Sequence, residues 1–336
     1  MSEAKVYSER LGAISDAQLE AVCARLNLGR FVGAAPTTGG LFGQNVFLNT
    51  IEGEFVLRGA PHWVKGIDEG EYHREDRWQF TKERYFAEQL HAHTRAPVPW
   101  PMLHDQANDI FGWPYLVMPR MPGRCFNERE IVKALEPADR RGVAAALGEN
   151  LAEMQRLTSP FAGDFSPVSI KLEPYAEGPV GWIVREALAV MRGCDGSLTP
   201  DDIAWIETAA EGAKGEVTAT YVHCDYKLNN LTVMKDGGAW RVSGLFDLHE
   251  ARFADGALDV VRTACSYLDT EPELARVFRD AYGKPLDPAR MTLYVLNDRL
   301  KLWGYFSRPG IDAEWLRGKT FRGWAHRYVD GILKLL

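Results

Sequence analysis

Two short segments decide the fold of this chain: HCDYKLNN at residues 223–230 and LFD at residues 245–247. The first has the spacing H-x-D-x-x-x-x-N, so that a carboxylate, Asp225, stands five residues before an amide, Asn230. Two β-prone runs joined by a Gly-Gly pair follow and predict a hairpin. Asp247 comes where that hairpin ends. An Asp and an Asn at this spacing occur by chance and cap turns, but chance does not account for the hairpin and the second Asp in this order.

The chemistry that needs these side chains is phosphoryl transfer to a hydroxyl. A carboxylate must lie within hydrogen-bond reach of the attacking hydroxyl, and oxygen ligands must hold a divalent cation against the phosphates. The spacing of residues 223–230 is that of the catalytic loop of protein kinases and their relatives. We therefore interpret Asp225, Asn230 and Asp247 as the centre of a phosphoryl-transfer site.

Composition and charge narrow the class of protein. The 336 residues are 46% hydrophobic and 25% charged, which is typical of a soluble globular chain long enough for two lobes with a core each. Thirty-nine basic residues against 46 acidic ones give a net charge of −7. Nucleic-acid binders usually show the opposite balance, so we expect no nucleic-acid partner and favour a cationic small molecule.

Cysteine usage and hydropathy predict the compartment. Five cysteines without a CxxC pair indicate neither a disulfide framework nor a zinc site, and they fit a reducing environment. The sequence shows no signal-peptide pattern and no apolar run near the roughly 20 residues that cross a bilayer. We therefore expect a cytoplasmic protein with no membrane segment.

The order of predicted elements divides the chain into a small β-rich lobe and a larger helical lobe. A capping box at Ser15 and Gln18 predicts a first helix, and a polar helix is predicted from about 76 to 93. β-prone runs cover 46–51, 54–58 and 115–118, and helical periodicity marks 143–157, 182–191 and 200–213. The break at Pro119 to Gly123 predicts an N-lobe over residues 1–121 and a C-lobe over 122–336, an α+β bilobal architecture.

On these motifs the chain resembles the aminoglycoside phosphotransferase and choline kinase-like enzymes, which share the protein kinase-like fold. The family's H-G-D-x-x-x-x-N appears as residues 223–230, and its G-D-P-x-x-D appears in altered form as ADGALD at 254–259. The stretch WPYLVMPRMPG at 113–123 is similar to the hinge of hygromycin-type phosphotransferases. The resemblance implies the following roles: Asp225 as catalytic base, Asn230 and Asp247 as Mg²⁺ ligands, and His223 and Asp259 as structural support.

The same resemblance implies a nucleotide site between the lobes. Arg58 would position the phosphates in place of the family's Lys and pair with Glu83, and Gly40 would belong to a phosphate-covering loop. The Pro119 carbonyl and the Met121 N–H would meet the base of the nucleotide. For each of these roles there is an alternative: Arg58 faces outward and Glu83 is solvated on an exposed face. The glycines then form a simple loop, and residues 119–121 are a linker without ligand contact.

Two further sets of charged residues have open roles. Lys227 either neutralises the transferring phosphoryl group or pairs with a nearby acid. Asp269, Glu271 and Glu273 are candidate contacts for a cationic acceptor, and the alternative is that they only solvate a loop.

The sequence therefore predicts an O-phosphotransferase that uses ATP (or GTP) and Mg²⁺ and acts on a small-molecule hydroxyl, first of all that of an aminoglycoside or related amino sugar. A metabolic kinase of choline, a sugar or a homoserine-like alcohol is the alternative within enzymes, because the motifs bind the phosphates and not the acceptor. A catalytically silent nucleotide-binding regulatory module is the alternative from another class. Either a monomer or a homodimer is compatible with the sequence.

Overall fold

The first elements form a hairpin and a helix at the outer side of the small lobe. A computed structural model describes residues 4–8, 11–37, 45–59, 69–166, 168–194, 196–307 and 313–336, with the backbone alone at 69–78 and 128. Strands β1 (Lys5–Ser8) and β2 (Gly12–Ile14) pair antiparallel, and α1 (Asp16–Arg25) follows. The predicted capping box is present, because the Ser15 side chain accepts from the Gln18 backbone and Gln18 reaches back to Ser15.

A five-stranded antiparallel sheet forms the small lobe. Its strands are β3 (Phe31–Pro36), β4 (Asn45–Thr50), β5 (Gly53–Gly59), β6 (Leu103–Asp105) and β7 (Tyr115–Pro119), in the order β3-β4-β5-β7-β6. The helix α2 (Glu69–His93) lies between β5 and β6 in the chain. Because side chains alternate along a strand, the two faces of the sheet belong to different cores: Tyr115 and Val117 join the small-lobe core, and Leu116 and Met118 join the larger one.

The larger lobe is mainly helical. Its helices are α3 (Glu128–Ala134), α4 (Pro137–Met154), α5 (Gly178–Gly193), α6 (Pro200–Gly212), α7 (Ala257–Thr270), α8 (Pro272–Tyr282), α9 (Pro288–Phe306) and α10 (Phe321–Leu333). Its strands are β8 (Gly163–Ser166), β9 (Lys171–Pro174), β10 (Thr220–Val222), β11 (Leu231–Asp236), β12 (Ala239–Leu245) and β13 (Arg252–Ala254). The β11–β12 hairpin is the predicted one, and Gly237 and Gly238 turn it with positive φ angles of 56° and 90°.

A second sheet, in the order β10-β13-β8-β9, was not predicted from the sequence. Its strands are three or four residues long, too short to show an alternating pattern. The sheet matters for the site because β10 leads directly into residue 223.

The chain passes between the lobes at residues 120–123. The sheet ends at Pro119, and the backbone of Arg124 already pairs with that of Val233 in β11. The apolar face of α2, with Phe86 and Leu90, is part of the large core, to which Leu116 and Met118 of the small-lobe sheet also belong, so α2 packs against both lobes. The protein kinase-like α+β fold is confirmed, and we keep 1–121 and 122–336 as the proposed division. In the described ranges, no helix is long and apolar enough to span a bilayer.

Candidate active site

Residues 223–227 form a loop whose backbone is held from α7. The backbone N–H groups of His223 and Cys224 donate to the two oxygens of Asp259 at 2.6 and 2.8 Å. Asp259 is buried, and burial raises its pKa to about 7 against the opposing effect of these two donors. The arrangement expected of Asp259 as a brace for the loop is therefore present.

The His223 ring links this loop to the segment after the hairpin. Its Nε2 lies 2.8 Å from the Phe246 carbonyl, and its Nδ1 lies 3.3 Å from the backbone nitrogen of Asp225. A carbonyl accepts and an N–H donates, so the ring is the neutral tautomer with its proton on Nε2. Burial lowers the pKa of His223, which agrees with a structural and uncharged imidazole.

The Asp225 carboxylate is held at both oxygens. Oδ2 lies 2.7 Å from Nζ of Lys227 and accepts from Nδ2 of Asn230 at 3.0 Å. Oδ1 lies 3.2 Å from Nε of Arg262, which extends from α7. Asp225 is therefore fixed in orientation and still reaches solvent with 23% of its side chain, as a base that must meet a hydroxyl requires.

Asn230 and Asp247 stand at the two open ends of the β11–β12 hairpin. The Phe246 N–H donates to the Asn230 carbonyl at 2.9 Å and ties these ends together. The Asn230 amide nitrogen bonds to the Asp225 backbone carbonyl and carboxylate, and the amide oxygen is not part of these contacts. Asp247 takes a left-handed conformation with a φ of 67°, which Asp tolerates better than most residues.

Arg58 and His249 both stabilise the charged form of Asp247. Its Oδ1 lies 2.8 Å from Nδ1 of His249 and 3.5 Å from a terminal nitrogen of Arg58. Burial raises the pKa of Asp247, but the His249 hydrogen bond and the Arg58 charge outweigh this and hold the pKa well below its usual range. A carboxylate and an amide oxygen are the hard donors that Mg²⁺ takes, so the residues present fit this ion.

The predicted pair between Arg58 and Glu83 is present. Arg58 in β5 lies opposite Leu116 of β7 and therefore faces α2. Its guanidinium lies 2.9 Å from Oε2 of Glu83, whose side chain is only 1% exposed. The alternatives of an outward-facing Arg58 and a solvated Glu83 are wrong. Burial raises the pKa of Glu83, and the Arg58 charge opposes that rise.

The structure describes three of the four other residues that were predicted to contact the nucleotide. Pro119 ends β7, and Met121 lies against the hairpin so closely that a side chain at Gly244 would meet its Cβ at 2.7 Å. Their contacts with the nucleotide base stay a prediction. Gly40 lies outside the described residues. Lys227 pairs with an acid in this structure, and that acid is Asp225 itself.

The three candidate acceptor carboxylates are each engaged with another helix. Asp269 pairs with Arg327 and accepts from the Tyr328 hydroxyl, Glu271 pairs with Arg140, and Glu273 pairs with Arg141. The structure brings them into contact with α10 and α4. Their role toward an acceptor remains a prediction.

Sequence analysis missed two site residues, His249 and Arg262. His249 stands two residues after Asp247, and Arg262 stands one helical turn after Asp259. The helical spacing from a buried acid was a usable signal for Arg262. Nothing in the sequence near His249 pointed to its contact with Asp247.

Comparisons with known proteins agree with this geometry. The sequence profile of a phosphotransferase enzyme family matches residues 34–294. The fold is similar to a protein from Ralstonia eutropha provisionally described as an aminoglycoside phosphotransferase, with 16% identity, 95% of this chain and 98% of that chain covered, and a TM-score of 0.62.

Two solved enzymes with bound ligands are also similar in fold. A thermostable mutant of aminoglycoside phosphotransferase APH(4)-Ia, in a ternary complex with ADP and hygromycin B, shares 17% identity over 94% of this chain and 97% of that chain, with a TM-score of 0.58. Spectinomycin phosphotransferase APH(9)-Ia, with ADP and spectinomycin, shares 12% identity over 94% of this chain and 98% of that chain, with a TM-score of 0.55. A search of curated proteins found no match. The family match, together with the loop, hairpin and interlobe pair, shows that this chain belongs to the phosphotransferase enzyme family and is a kinase-type enzyme acting on hydroxyl groups.

Proposed function

We propose that the protein transfers the terminal phosphoryl group of ATP or GTP, with Mg²⁺, to a hydroxyl of an aminoglycoside or a related amino sugar. The observation that carries the proposal is the convergence of three groups from distant parts of the chain. The Asp225 carboxylate comes from the loop after β10, Asn230 and Asp247 come from the hairpin ends, and Arg58 reaches Asp247 from the small lobe.

Each of these groups has a defined task in phosphoryl transfer. Asp225 accepts the proton of the acceptor hydroxyl at a carboxylate oxygen. Asn230 and Asp247 would hold Mg²⁺, which supplies charge neutralisation at the phosphate oxygens. Arg58, fixed by Glu83 and facing Asp247 with its second terminal nitrogen, would position the phosphates beside the metal ligands.

Lys227 is the partner of Asp225 that can change position. Its side chain is 28% exposed, and an ammonium on a flexible stem turns readily from a carboxylate to a phosphate. Its movement would free one lone pair of Oδ2 for the acceptor hydroxyl. This role follows from the proposed reaction.

The acceptor class rests on the chain's charge and on the ligands of its structural relatives. A net charge of −7 favours a cationic acceptor, and hygromycin B and spectinomycin are bound in two of the similar structures. The presence of Asp225, Asn230 and Asp247 in one site argues against a silent nucleotide-binding module.

A panel assay tests the proposal. The purified protein is incubated with MgATP or MgGTP and with aminoglycosides, simple amino sugars, choline, homoserine and neutral sugars, and phosphorylated acceptors are detected by mass spectrometry. We expect a phosphorylated aminoglycoside or amino sugar. Phosphorylation of choline, homoserine or a neutral sugar alone would contradict the acceptor class, and no phosphorylated product with any acceptor would contradict the proposal as a whole.

A further inference from the structure

The helix α7 holds the catalytic loop with three side chains on one face. Asp259 binds the backbone N–H groups of His223 and Cys224. Thr263 donates its hydroxyl to the Tyr226 carbonyl at 2.6 Å. Arg262 lies between these two anchors in the helix and contacts the Asp225 side chain. Residues three and four apart share a helix face, so one surface of α7 fixes both the backbone of the loop and its carboxylate.

The two oxygens of Asp225 have different surroundings. Oδ1 and the Arg262 Nε that faces it are both buried atoms, and at 3.2 Å they form an ion pair without the alignment of a hydrogen bond. Oδ2 faces Lys227 and Asn230, and part of the side chain is exposed to solvent. An acceptor hydroxyl therefore has access to Oδ2 and not to Oδ1.

Arg262 is itself held in place from α9. Its NH1 lies 3.2 Å from Oδ1 of Asp298. Asp298 is 11% exposed and pairs through its second oxygen with Arg299, whose guanidinium lies over the Tyr328 ring at 4.4 Å. Because both ends of Arg262 are occupied by carboxylates, rotation of its guanidinium would break two partly buried ion pairs at once.

We infer that Arg262 is a positioning residue for phosphoryl transfer, which holds Oδ1 of Asp225 inward so that Oδ2 meets the acceptor hydroxyl, and that Asp298 orients Arg262. This inference rests on the proposed role of Asp225 as the base. Arg262 acts through Asp225 and touches neither substrate, so its loss changes the rate of transfer and not substrate binding.

Kinetics of matched variants test this inference. Phosphoryl transfer to the acceptor found by the panel assay is measured for the wild type, R262A, R262K, D298N, R262A/D298N and R276A. Arg276 is an exposed arginine on the neighbouring α8 and serves as the control. We expect kcat of R262A to fall about 100-fold, the loss typical of a misplaced catalytic group, with the KM of both substrates nearly unchanged. R262K should recover part of the lost kcat. R262A/D298N should have nearly the same kcat as R262A, because Asp298 acts on Asp225 only through Arg262.

Two kinetic outcomes would overturn the inference. If R262A keeps the kcat of the R276A control, Arg262 does not position the base. If R262A raises the KM of the acceptor at constant kcat, Arg262 binds the acceptor. Failure of the proposed function is distinguishable, because then the wild type itself transfers no phosphoryl group.

A measurement without an acceptor keeps the inference testable in that case. A crystal structure of R262A should show the Asp225 carboxylate rotated away from Asn230. Thermal unfolding of R262A, compared with that of the wild type, checks that the variant is folded. An Asp225 side chain unchanged in R262A would overturn the inference.

Discussion

The Arg58 guanidinium lies between the buried carboxylate of Glu83 and the half-buried carboxylate of Asp247. Removal of one partner of a buried ion pair leaves the other charge without compensation, which costs about 3–5 kcal/mol. Here the loss is limited because burial raises the pKa of Glu83, which favours its uncharged form when Arg58 is absent.

R58A should therefore unfold at a lower urea concentration, with a free energy of unfolding reduced by about 3 kcal/mol. It should also bind the nucleotide more weakly. R58K keeps the charge and should keep substantial activity, since Lys can hold one of the two contacts. In R58A/E83Q, the uncharged amide should restore part of the stability but not the nucleotide affinity. Urea titrations and kinetics of the three variants check this, and wild-type kcat/KM for ATP in R58A would contradict the assignment.

His223 makes stability depend on pH. Burial lowers its pKa below the ordinary 6.5, so the unfolded chain takes up the proton first when the solution is acidified. The stabilisation from a neutral His223 is therefore present above that value and is lost as the pH falls below it. The H223Q variant lacks this group but can still donate to the Phe246 carbonyl.

The measurement is the melting temperature of both proteins between about pH 7.5 and about pH 5, where a buried histidine contributes. Other groups titrate in the same range, so the difference between the two proteins is the quantity to compare. We expect the wild type to lose more stability than H223Q on acidification. Parallel curves would show that His223 carries no such linkage.

At the scale of elements, the connection between the lobes packs tightly against the hairpin. Gly123 has a φ of +96°, and a Cβ there would meet the Ser243 hydroxyl at 2.4 Å and the Val233 carbonyl at 2.6 Å. Gly238 in the hairpin turn has a similar φ of +90° with no atom near its Cβ position. The two glycines share a positive φ that would strain any other residue, and they differ in the free space around the Cβ position.

G123A should therefore lose more stability than G238A, by about 1–3 kcal/mol for the forced displacement of the surroundings. Chemical denaturation of both variants checks the difference. Equal losses would mean that only the backbone conformation matters at residue 123 and that the hairpin does not restrict the interlobe connection.

The position of Asp247 at the end of the β11–β12 hairpin predicts that it affects nucleotide affinity only when Mg²⁺ is present. D247N keeps the size of the side chain and removes the charge that an ion would meet. We expect the affinity for MgATP to fall about 10-fold or more, whereas the affinity for ATP with EDTA should change little. Calorimetry in the two conditions separates these effects, and an unchanged MgATP affinity would make Asp247 a structural residue.

Several elements were predictable because their signals are local. The capping box marked the start of α1, and the Gly237-Gly238 pair marked the β11–β12 turn. The beginning of α2 was placed at 76 instead of 69 because its first turns, EGEYHRE, lack apolar periodicity. The strands of the second sheet depend on long-range pairing, which a single sequence does not show.

The residues of the site likewise divide into those with a local sequence signal and those without one. The spacing within residues 223–230 and the position of Asp247 carried the catalytic and metal-binding hypotheses. Helical spacing from Asp259 could place Arg262 on the face of α7 that meets the loop, but its contacts with Asp225 and Asp298 join three separate segments, so no local pattern could reveal those partners. The three predicted acceptor acids follow the 254–259 segment closely in the sequence, which was their only signal. In the structure they pair with arginines of α4 and α10.

At the scale of the whole molecule, α2 connects the two lobes at the site. It supplies Glu83 to Arg58 of the small lobe, and its Lys82 lies 2.7 Å from Asp164 of β8 in the large lobe. Its apolar face packs into the large core. A single helix therefore contacts Arg58 of the small lobe and strand β8 of the large lobe.

The central claim is that Asp225 is the base of a phosphoryl transfer to a small-molecule hydroxyl. The most direct measurement compares single-turnover transfer from MgATP to the acceptor by the wild type, D225N and D236N; Asp236 is an exposed acid of the hairpin that pairs with Arg241 and serves as the control. We expect D225N to lose about 10²–10⁴-fold in rate while it binds the nucleotide as the wild type does, and D236N to react normally. A D225N protein that retains most of the wild-type rate would contradict the account.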